Sequence, residues 1–287
     1  MSSAAWLAEP AVVAAVALLI GLCVGSFLNV VIHRLPRMME REWRAECAAL
    51  AGQPVPEEPR LNLFTPRSRC PSCGHAIGIL ENVPLASWIW LRARCAHCSA
   101  RISARYPLVE LLAGIGAAFS FWRFGATLPA LGAALFVWFT IALAFIDQET
   151  GLLPDDLTLP LVWIGLLLNV RGAFVPLSEA VAGAVAGYLA LWLVYWGYKL
   201  ATGKEGMGYG DFKMNAAVGA FLGWKMLPLV ILLSSLVGLA FGAAQMFAAR
   251  GRWEAGFRFH FGPYIAIAAL IALYWGEPIL RWYSARL

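Results

Sequence analysis

The run Leu135-Phe-Val-Trp-Phe-Thr-Ile-Ala-Leu-Ala-Phe-Ile-Asp147 carries no charge until its last residue. With the apolar residues before it, the run is long enough to form a helix that crosses a membrane. Further on, Gly208-Tyr-Gly-Asp211 sets a second carboxylate at the head of another apolar stretch. A charge at the edge of the hydrocarbon costs about 3 kcal/mol unless it is paired or faces a wet cavity. Each acid is therefore a functional candidate by default.

Similar apolar runs recur on both sides of these two. The chain has 287 residues, 61% of them hydrophobic and 14% charged. A soluble domain is nearer half apolar and about a quarter charged. The expected fold is an all-α polytopic membrane protein with about eight transmembrane helices. The spans are expected near 11–33, 107–122, 127–146, 157–170, 177–198, 212–223, 226–248 and 262–276. The run Ala11 to Ile32 exceeds a signal-peptide core and no Lys or Arg precedes it, so it reads as an uncleaved first span. The 212–223 span is short, about twelve residues against the roughly twenty a crossing needs.

Formal net charge is +5, a balance that reads as membrane topology rather than nucleic-acid binding. Seventeen of the 22 Lys and Arg fall in loops on one side, among them Arg34, Arg60, Arg92, Arg105, Lys199, Lys213, Arg250, Arg252 and Arg258. The other five are Arg123, Arg171, Lys225, Arg281 and Arg286. The first side is thus expected to be cytoplasmic, with both termini outside. A re-entrant 212–223 segment would reverse the C-terminus.

Three regions follow: a first transmembrane helix over 1–33, a cytoplasmic loop domain over 34–106, and a membrane core over 107–287. The loop domain opens with a charged helical stretch, Met38 to Glu46, with Glu40 and Arg44 spaced i,i+4. A Pro-rich connector, Gln53 to Pro59, should stay extended. In the spans, Gly21-x3-Gly25 and Gly183-x3-Gly187 put small residues on one helix face, which permits close packing.

A Cys-rich module occupies about 69–101. Cys70-Pro-Ser-Cys73 and Cys95-Ala-His-Cys98 are two C-x-x-C pairs, the four-thiolate zinc pattern. Each pair sits on a tight turn, so all four sulfurs can reach one tetrahedral ion. The rival reading is two disulfides, which a reducing cytoplasm disfavours. Four protein ligands leave no open position, so the zinc is expected to be structural. His75 and His97 read as surface histidines, Cys23 as a small buried apolar residue, and Cys47 gives no signal.

The charge count puts Asp147 and Asp211 at the same membrane boundary, where helix packing can bring them face to face. Adjacent carboxylates do not both ionise easily, so one keeps a proton while the other stays charged. Peptide hydrolysis by an aspartyl dyad requires this: the anion deprotonates water and the neutral acid polarises the carbonyl. Asp211 at a helix N-terminus is the expected base, and Asp147 at a C-terminus the expected acid. Gly208 and Gly210 let a substrate backbone approach Asp211. Lys213 either stabilises the Asp211 anion or extends to the interface. Asp155 and Asp156, after Leu153-Pro154, read as a helix start, and so does Glu110.

These residues resemble the type IV prepilin peptidase family, membrane aspartyl proteases of the Gly-x-Gly-Asp kind. The resemblance runs through Gly25-Ser-Phe-Leu-Asn-Val30 with Arg34-Leu-Pro36, the paired C-x-x-C motifs and Ile102-Ser-Ala-Arg-Tyr-Pro107. It continues through Asp147 with Leu153-Pro-Asp155, Gly206-Met-Gly-Tyr-Gly-Asp-Phe-Lys213 and Phe261-Gly-Pro-Tyr264. It implies that Asp147 and Asp211 are the catalytic pair and that the substrates are type IV prepilins and pilin-like secretion subunits. Their short basic leader would be cut at the cytoplasmic face of the bacterial inner membrane. The long Cys-containing loop implies a second activity, N-methylation of the new amino terminus with S-adenosylmethionine. No glycine-rich nucleotide fingerprint marks a site for that donor. Departures are Met214-Asn215, where a more apolar pair is expected, and Ser99, where a Gly often stands; both bear on substrate preference. Two other classes fit the acids alone: a cation transporter, and an assembly factor that binds pilin helices without cutting them.

Overall fold

The computed structural model describes residues 9–54, 58–248 and 260–286. The helices are α1 (Pro10–Leu50), α2 (Ala86–Trp90), α3 (Arg105–Phe124), α4 (Leu128–Thr150), α5 (Asp155–Val170), α6 (Leu177–Thr202), α7 (Tyr209–Leu222), α8 (Leu227–Ala248) and α9 (Gly262–Ser284). Every expected span falls on one of them. Among the described residues six segments are long and apolar enough to cross a membrane, namely α1, α3, α4, α6, α9 and Trp224–Gln245, which covers most of α8. At 16 and 14 residues, α5 and α7 are shorter. Among the described residues the only β structure is two isolated bridges. Arg250, Arg252 and Arg258 of the charge count, and Val55, Pro56 and Glu57 of the connector, lie outside the described residues.

The chain forms two compact units, Met1–Ala142 and Leu143–Leu287. In the first, α1 packs along α3, where Gly21 and Gly25 sit so close to Ala113, Gly114 and Glu110 that a Cβ on either glycine would collide with backbone. The first span and the charged stretch after it are one helix of 41 residues that runs through Pro36. A proline inside a helix removes one hydrogen bond and bends the axis. Here Ile32, Leu35 and Pro36 are buried, and their packing carries the helix on. Arg34 is buried as well and donates to the carbonyls of Asn62 (2.9 Å) and Pro66 (2.6 Å). Arg44 does not meet the Glu40 carboxylate, as its spacing had suggested. It donates to the Glu40 carbonyl and pairs with Glu58, while Arg41 holds Glu58 at 2.7 Å and the Pro59 carbonyl. Cys23 is exposed on α1, where lipid accepts a small apolar thiol as readily as a core does.

In the second unit α7 is the centre, against α5, α6, α8 and α9, and 11 of its 14 residues are buried. Gly183 of α6 meets Gly219 of α7 backbone to backbone, and Gly187 meets Asn215 and Ala216. Asn169 at the end of α5 donates to the carbonyls of Ala220 (2.9 Å) and Phe221 (3.1 Å), closing the open end of α7. Non-helical backbone at membrane depth survives where protein satisfies it, so α7 need not span the hydrocarbon itself.

Candidate active site and metal centre

Asp147 stands in the last turn of α4, which Gly151 ends in the left-handed conformation (φ +70°) while its N–H returns to the Asp147 carbonyl. Asp211 is the third residue of α7. One of its oxygens accepts the N–H of Gly208, just before the helix, at 3.2 Å, the acid half of a capping box. Both carboxylates are nearly enclosed, 5% and 6% exposed, and the charge on Asp147 acts on Asp211. Asp147 Oδ2 accepts the N–H of Gly262, the first residue of α9, at 2.9 Å. Asp147 therefore faces a helix N-terminus too. The expected asymmetry, a helix N-terminus for one acid and a C-terminus for the other, is cancelled by α9. Asp211 Oδ1 is buried with no hydrogen-bond partner among the described residues.

Two supporting residues take parts other than those expected. A Cβ on Gly210 would collide with Leu153, so that glycine makes room for the turn before α5; a Cβ on Gly208 would meet only ordinary contact. Lys213 Nζ lies 2.6 and 2.7 Å from the two oxygens of Asp155. It thereby ties the first turn of α5 to α7. The proline before Asp155 and the acids of that first turn are placed as a helix start. Met214 and Asn215 are buried, and Asn215 donates to the Gly187 carbonyl at 2.8 Å. Asn215 thus serves the α6–α7 contact.

Several residues of this site had no sequence signal of their own. Tyr195 on α6 packs against the tilted ring of Tyr209 and edge-to-face with Phe212, its hydroxyl accepts from Lys199 at 3.2 Å, and Lys199 pairs with Glu205 at 2.8 Å. This group fastens the loop that precedes Asp211. Gly262 belonged to a quoted motif, yet nothing in that motif said that it reaches Asp147.

In the first unit the four sulfurs of Cys70, Cys73, Cys95 and Cys98 lie within 4.8 Å of one another. Cys70 and Cys98 are 3.8 Å apart, the edge of a tetrahedron with metal–sulfur bonds of about 2.3 Å. Two matching turns build the cluster. The Cys70 N–H donates to His75 O and that of Gly74 to Cys70 O; Cys95 N–H donates to Ala100 O and that of Ser99 to Cys95 O. Gly74 and Ser99 hold equivalent left-handed positions (φ +72° and +57°), so Ser99 carries strain that glycine would not. That backbone position is what the Ser99 departure affects. The backbone amides of Cys73 and Ser72 bring the Cys70 thiol down to about 6. At Cys73 the His75 amide pulls downwards, but burial and the three neighbouring thiols prevail and push it up to about 12. Sulfurs this crowded ionise together only around a cation, so the donor set fits a metal ion. His75 and His97 stack on each other at 5.3 Å, and His75 faces Glu81, so both imidazoles are engaged apart from the sulfurs. Glu81 is held below the usual carboxylate range by the Gly78 amide and His75.

Glu110 is more than a helix start: it is buried, and one oxygen accepts the Leu85 N–H at 2.8 Å. Two cavities, of about 580 and 330 Å³, are lined almost wholly by apolar side chains, among them Trp224, Leu227 and Ile231 in one and Val12, Ile20 and Phe121 in the other. Neither offers the polar groups that a charged nucleoside such as S-adenosylmethionine needs.

A profile of the bacterial peptidase A24 N-terminal domain matches residues 19–124, and one of the type IV leader peptidase family matches 134–243. The chain is 54% identical over 268 residues to a prepilin leader peptidase/N-methyltransferase of Aeromonas salmonicida strain A449, covering 92% of this chain and 91% of the relative. It is 51% identical over 267 residues to the protein of that name in Pseudomonas aeruginosa (93% and 91%). In Burkholderia pseudomallei strain K96243 the identity is 48% over 267 residues (92% and 86%). No solved structure matches.

Proposed function

The chain belongs to the type IV prepilin leader peptidase/N-methyltransferase family, and from that premise we propose that Asp147 and Asp211 are the dyad with which it cuts its substrates. The enzyme is a membrane aspartyl endopeptidase that removes the leader of type IV prepilins and, on this reading, of pilin-like secretion subunits. The observation that supports it is that two carboxylates at separate helix ends of one unit are both nearly enclosed and near enough for the charge on Asp147 to act on Asp211.

The pair holds one proton between them and titrates as a unit. The ionised member takes a proton from water as that water attacks the scissile carbonyl, while the protonated member donates a hydrogen bond to the carbonyl oxygen. The proton then passes to the leaving amine as the C–N bond breaks, and the dyad returns to its starting state. Each acid keeps one oxygen on a backbone N–H, which fixes both carboxylates for this exchange. Asp211 Oδ1 is the free oxygen we assign to water. Lys213, Gly208 and Gly210 support the loop rather than the chemistry.

We place the dyad and the 34–106 loop domain on the cytoplasmic side of the bacterial inner membrane, on the strength of the Lys and Arg distribution. Cys70, Cys73, Cys95 and Cys98 would hold a structural zinc, which when bound supplies a charge centre that fixes the two turns. The relatives' names carry N-methylation with S-adenosylmethionine to this chain as well, without a donor site assigned to named residues.

Mass measurement of a prepilin incubated with the purified enzyme tests the dyad. Asp147→Asn and Asp211→Asn should each slow leader removal by roughly a thousandfold or more. Near-normal cleavage by either variant would remove that residue from the chemistry. For the metal, about one zinc per chain is expected, lost in Cys70→Ser and in Cys95→Ser. Zinc uptake should release one more proton at about pH 5 than at about pH 8, because the Cys70 thiol ionises near 6 between them. Calorimetry in buffers of different ionisation enthalpy counts those protons; equal release at both values would contradict the assignment.

A further inference from the structure

Between the two thiol pairs the chain turns outward an apolar face that no described residue covers. Ile79, Leu80, Ile89 and Trp90 are 81%, 74%, 68% and 79% exposed. In a loop domain that met only water this would be an unusual patch. Its position narrows what it can meet. The Leu85 N–H donates to Glu110, which lies five residues into the membrane-length helix α3 and about 8 Å along its axis. Glu110 in turn packs its backbone on Gly25, nine residues and about 13 Å before Arg34 on α1. The tip of the loop is therefore held beside spanning helices, inside the level marked by their arginines.

The backbone there bears the mark of a constrained seat. Leu85 has φ +59° and ψ −47°, and the Ala86 N–H bonds back to the Pro84 carbonyl at 2.6 Å. That is a tight three-residue turn of the strained hand. The turn leaves the Leu85 amide unmatched by its neighbours, and at this depth an unmatched amide is costly. Glu110 supplies the acceptor, which accounts for an acid buried in a spanning helix. On α3 itself the apolar side chains of Leu108, Leu112 and Ile115 are exposed as well. Arg92 and Arg94 follow the segment, exposed and with no ion-pair partner among the described residues.

We propose that Ile79–Leu91 is an interfacial membrane element, its apolar side chains seated in the acyl–headgroup boundary and Arg92 and Arg94 at the level of anionic phospholipid headgroups. The zinc module is then clipped to the bilayer at its tip as well as at its two chain ends. This does not depend on the proteolytic reading.

Photocrosslinking of the full chain in nanodiscs of phosphatidylglycerol and phosphatidylethanolamine tests it. p-Benzoylphenylalanine is placed at Trp90 or at Ile89, with lipid-facing Leu193 as reference and Leu50, at the far end of α1, as the water-side control. Phospholipid adducts at 89 and 90 should come within about twofold of the yield at 193 and exceed that at 50 by about tenfold. Two labelled positions keep the test readable if one variant fails to fold. Glu110→Ala should lower the adduct at 90 at least about fivefold, since the tip loses its anchor. Yields at 89 and 90 no higher than at 50 overturn the proposal. So does an adduct with added prepilin in place of lipid, which would make the face a substrate dock. Arg92→Gln/Arg94→Gln should abolish any preference for phosphatidylglycerol over phosphatidylethanolamine; an unchanged preference overturns the headgroup assignment.

Discussion

Lys213 shows how a residue's neighbours on the chain can mislead. Two positions from Asp211, it reads as that acid's counter-ion or as a chain reaching for the interface. In the fold it binds Asp155, 58 residues away in sequence, through both carboxylate oxygens. The pair is partly exposed, 27% and 55%, so its contribution to stability is expected to stay under about 1 kcal/mol. A double-mutant cycle separates the two roles. If Lys213 works through Asp155, then Lys213→Met and Asp155→Asn slow cleavage by similar factors of a few-fold, and combining them is no worse than either alone. A much larger loss in Lys213→Met than in Asp155→Asn would return Lys213 to Asp211. The two catalytic candidates themselves were legible one residue at a time, because a carboxylate in an apolar run has few structural excuses. Their partners were not: Gly262 lies 115 residues from Asp147 and offers only a backbone N–H, which no side-chain pattern reveals.

At the scale of elements, hydropathy located the six membrane-length helices and the shorter α5 and α7 among the described residues, since apolar patterning is a local property. It did not find that α1 continues through Pro36, because burial of the residues around the proline decides that and burial is not local. Nor did it reveal why a helix as short as α7 persists. The answer is its jacket: Gly183 and Gly187 let α6 lie against it, and Asn169 closes its end. Gly183→Val should force α6 and α7 apart, cost about 2 kcal/mol or more and lower the midpoint of thermal unfolding. Gly197→Ala on the same helix, with open space around it, should be neutral or slightly stabilising. Equal midpoints for the two variants would mean that the glycine contact is not what holds α7 in place. The four thiols were legible as a set because their spacing is that of a four-thiolate cluster, and the sulfurs do converge. Equivalent use of Gly74 and Ser99 at the turns was hidden, as a left-handed serine leaves no trace in composition.

For the whole molecule, the sequence conveyed a polytopic chain with a Cys-bearing loop between its first two spans. It did not convey that the compact units divide within α4, after Ala142. That division puts both aspartates in one unit and all four cluster thiols in the other. Metal loss should therefore be read first in the loop module and not at the dyad. The short helices have a further consequence when the solvent is a bilayer. Unlike the enclosed α7, α5 shows Leu159, Trp163 and Leu167 to the outside, yet its 16 residues reach only about 24 Å. A hydrocarbon core of about 30 Å does not match that length, and lipid adjusts by thinning. Hydrophobic mismatch is therefore expected to thin the membrane along the α5 flank, close to where Asp155 meets Lys213. Cleavage in nanodiscs should slow as acyl chains lengthen and the thinning becomes harder to achieve. Rates independent of chain length would show that the flank is covered by something other than lipid.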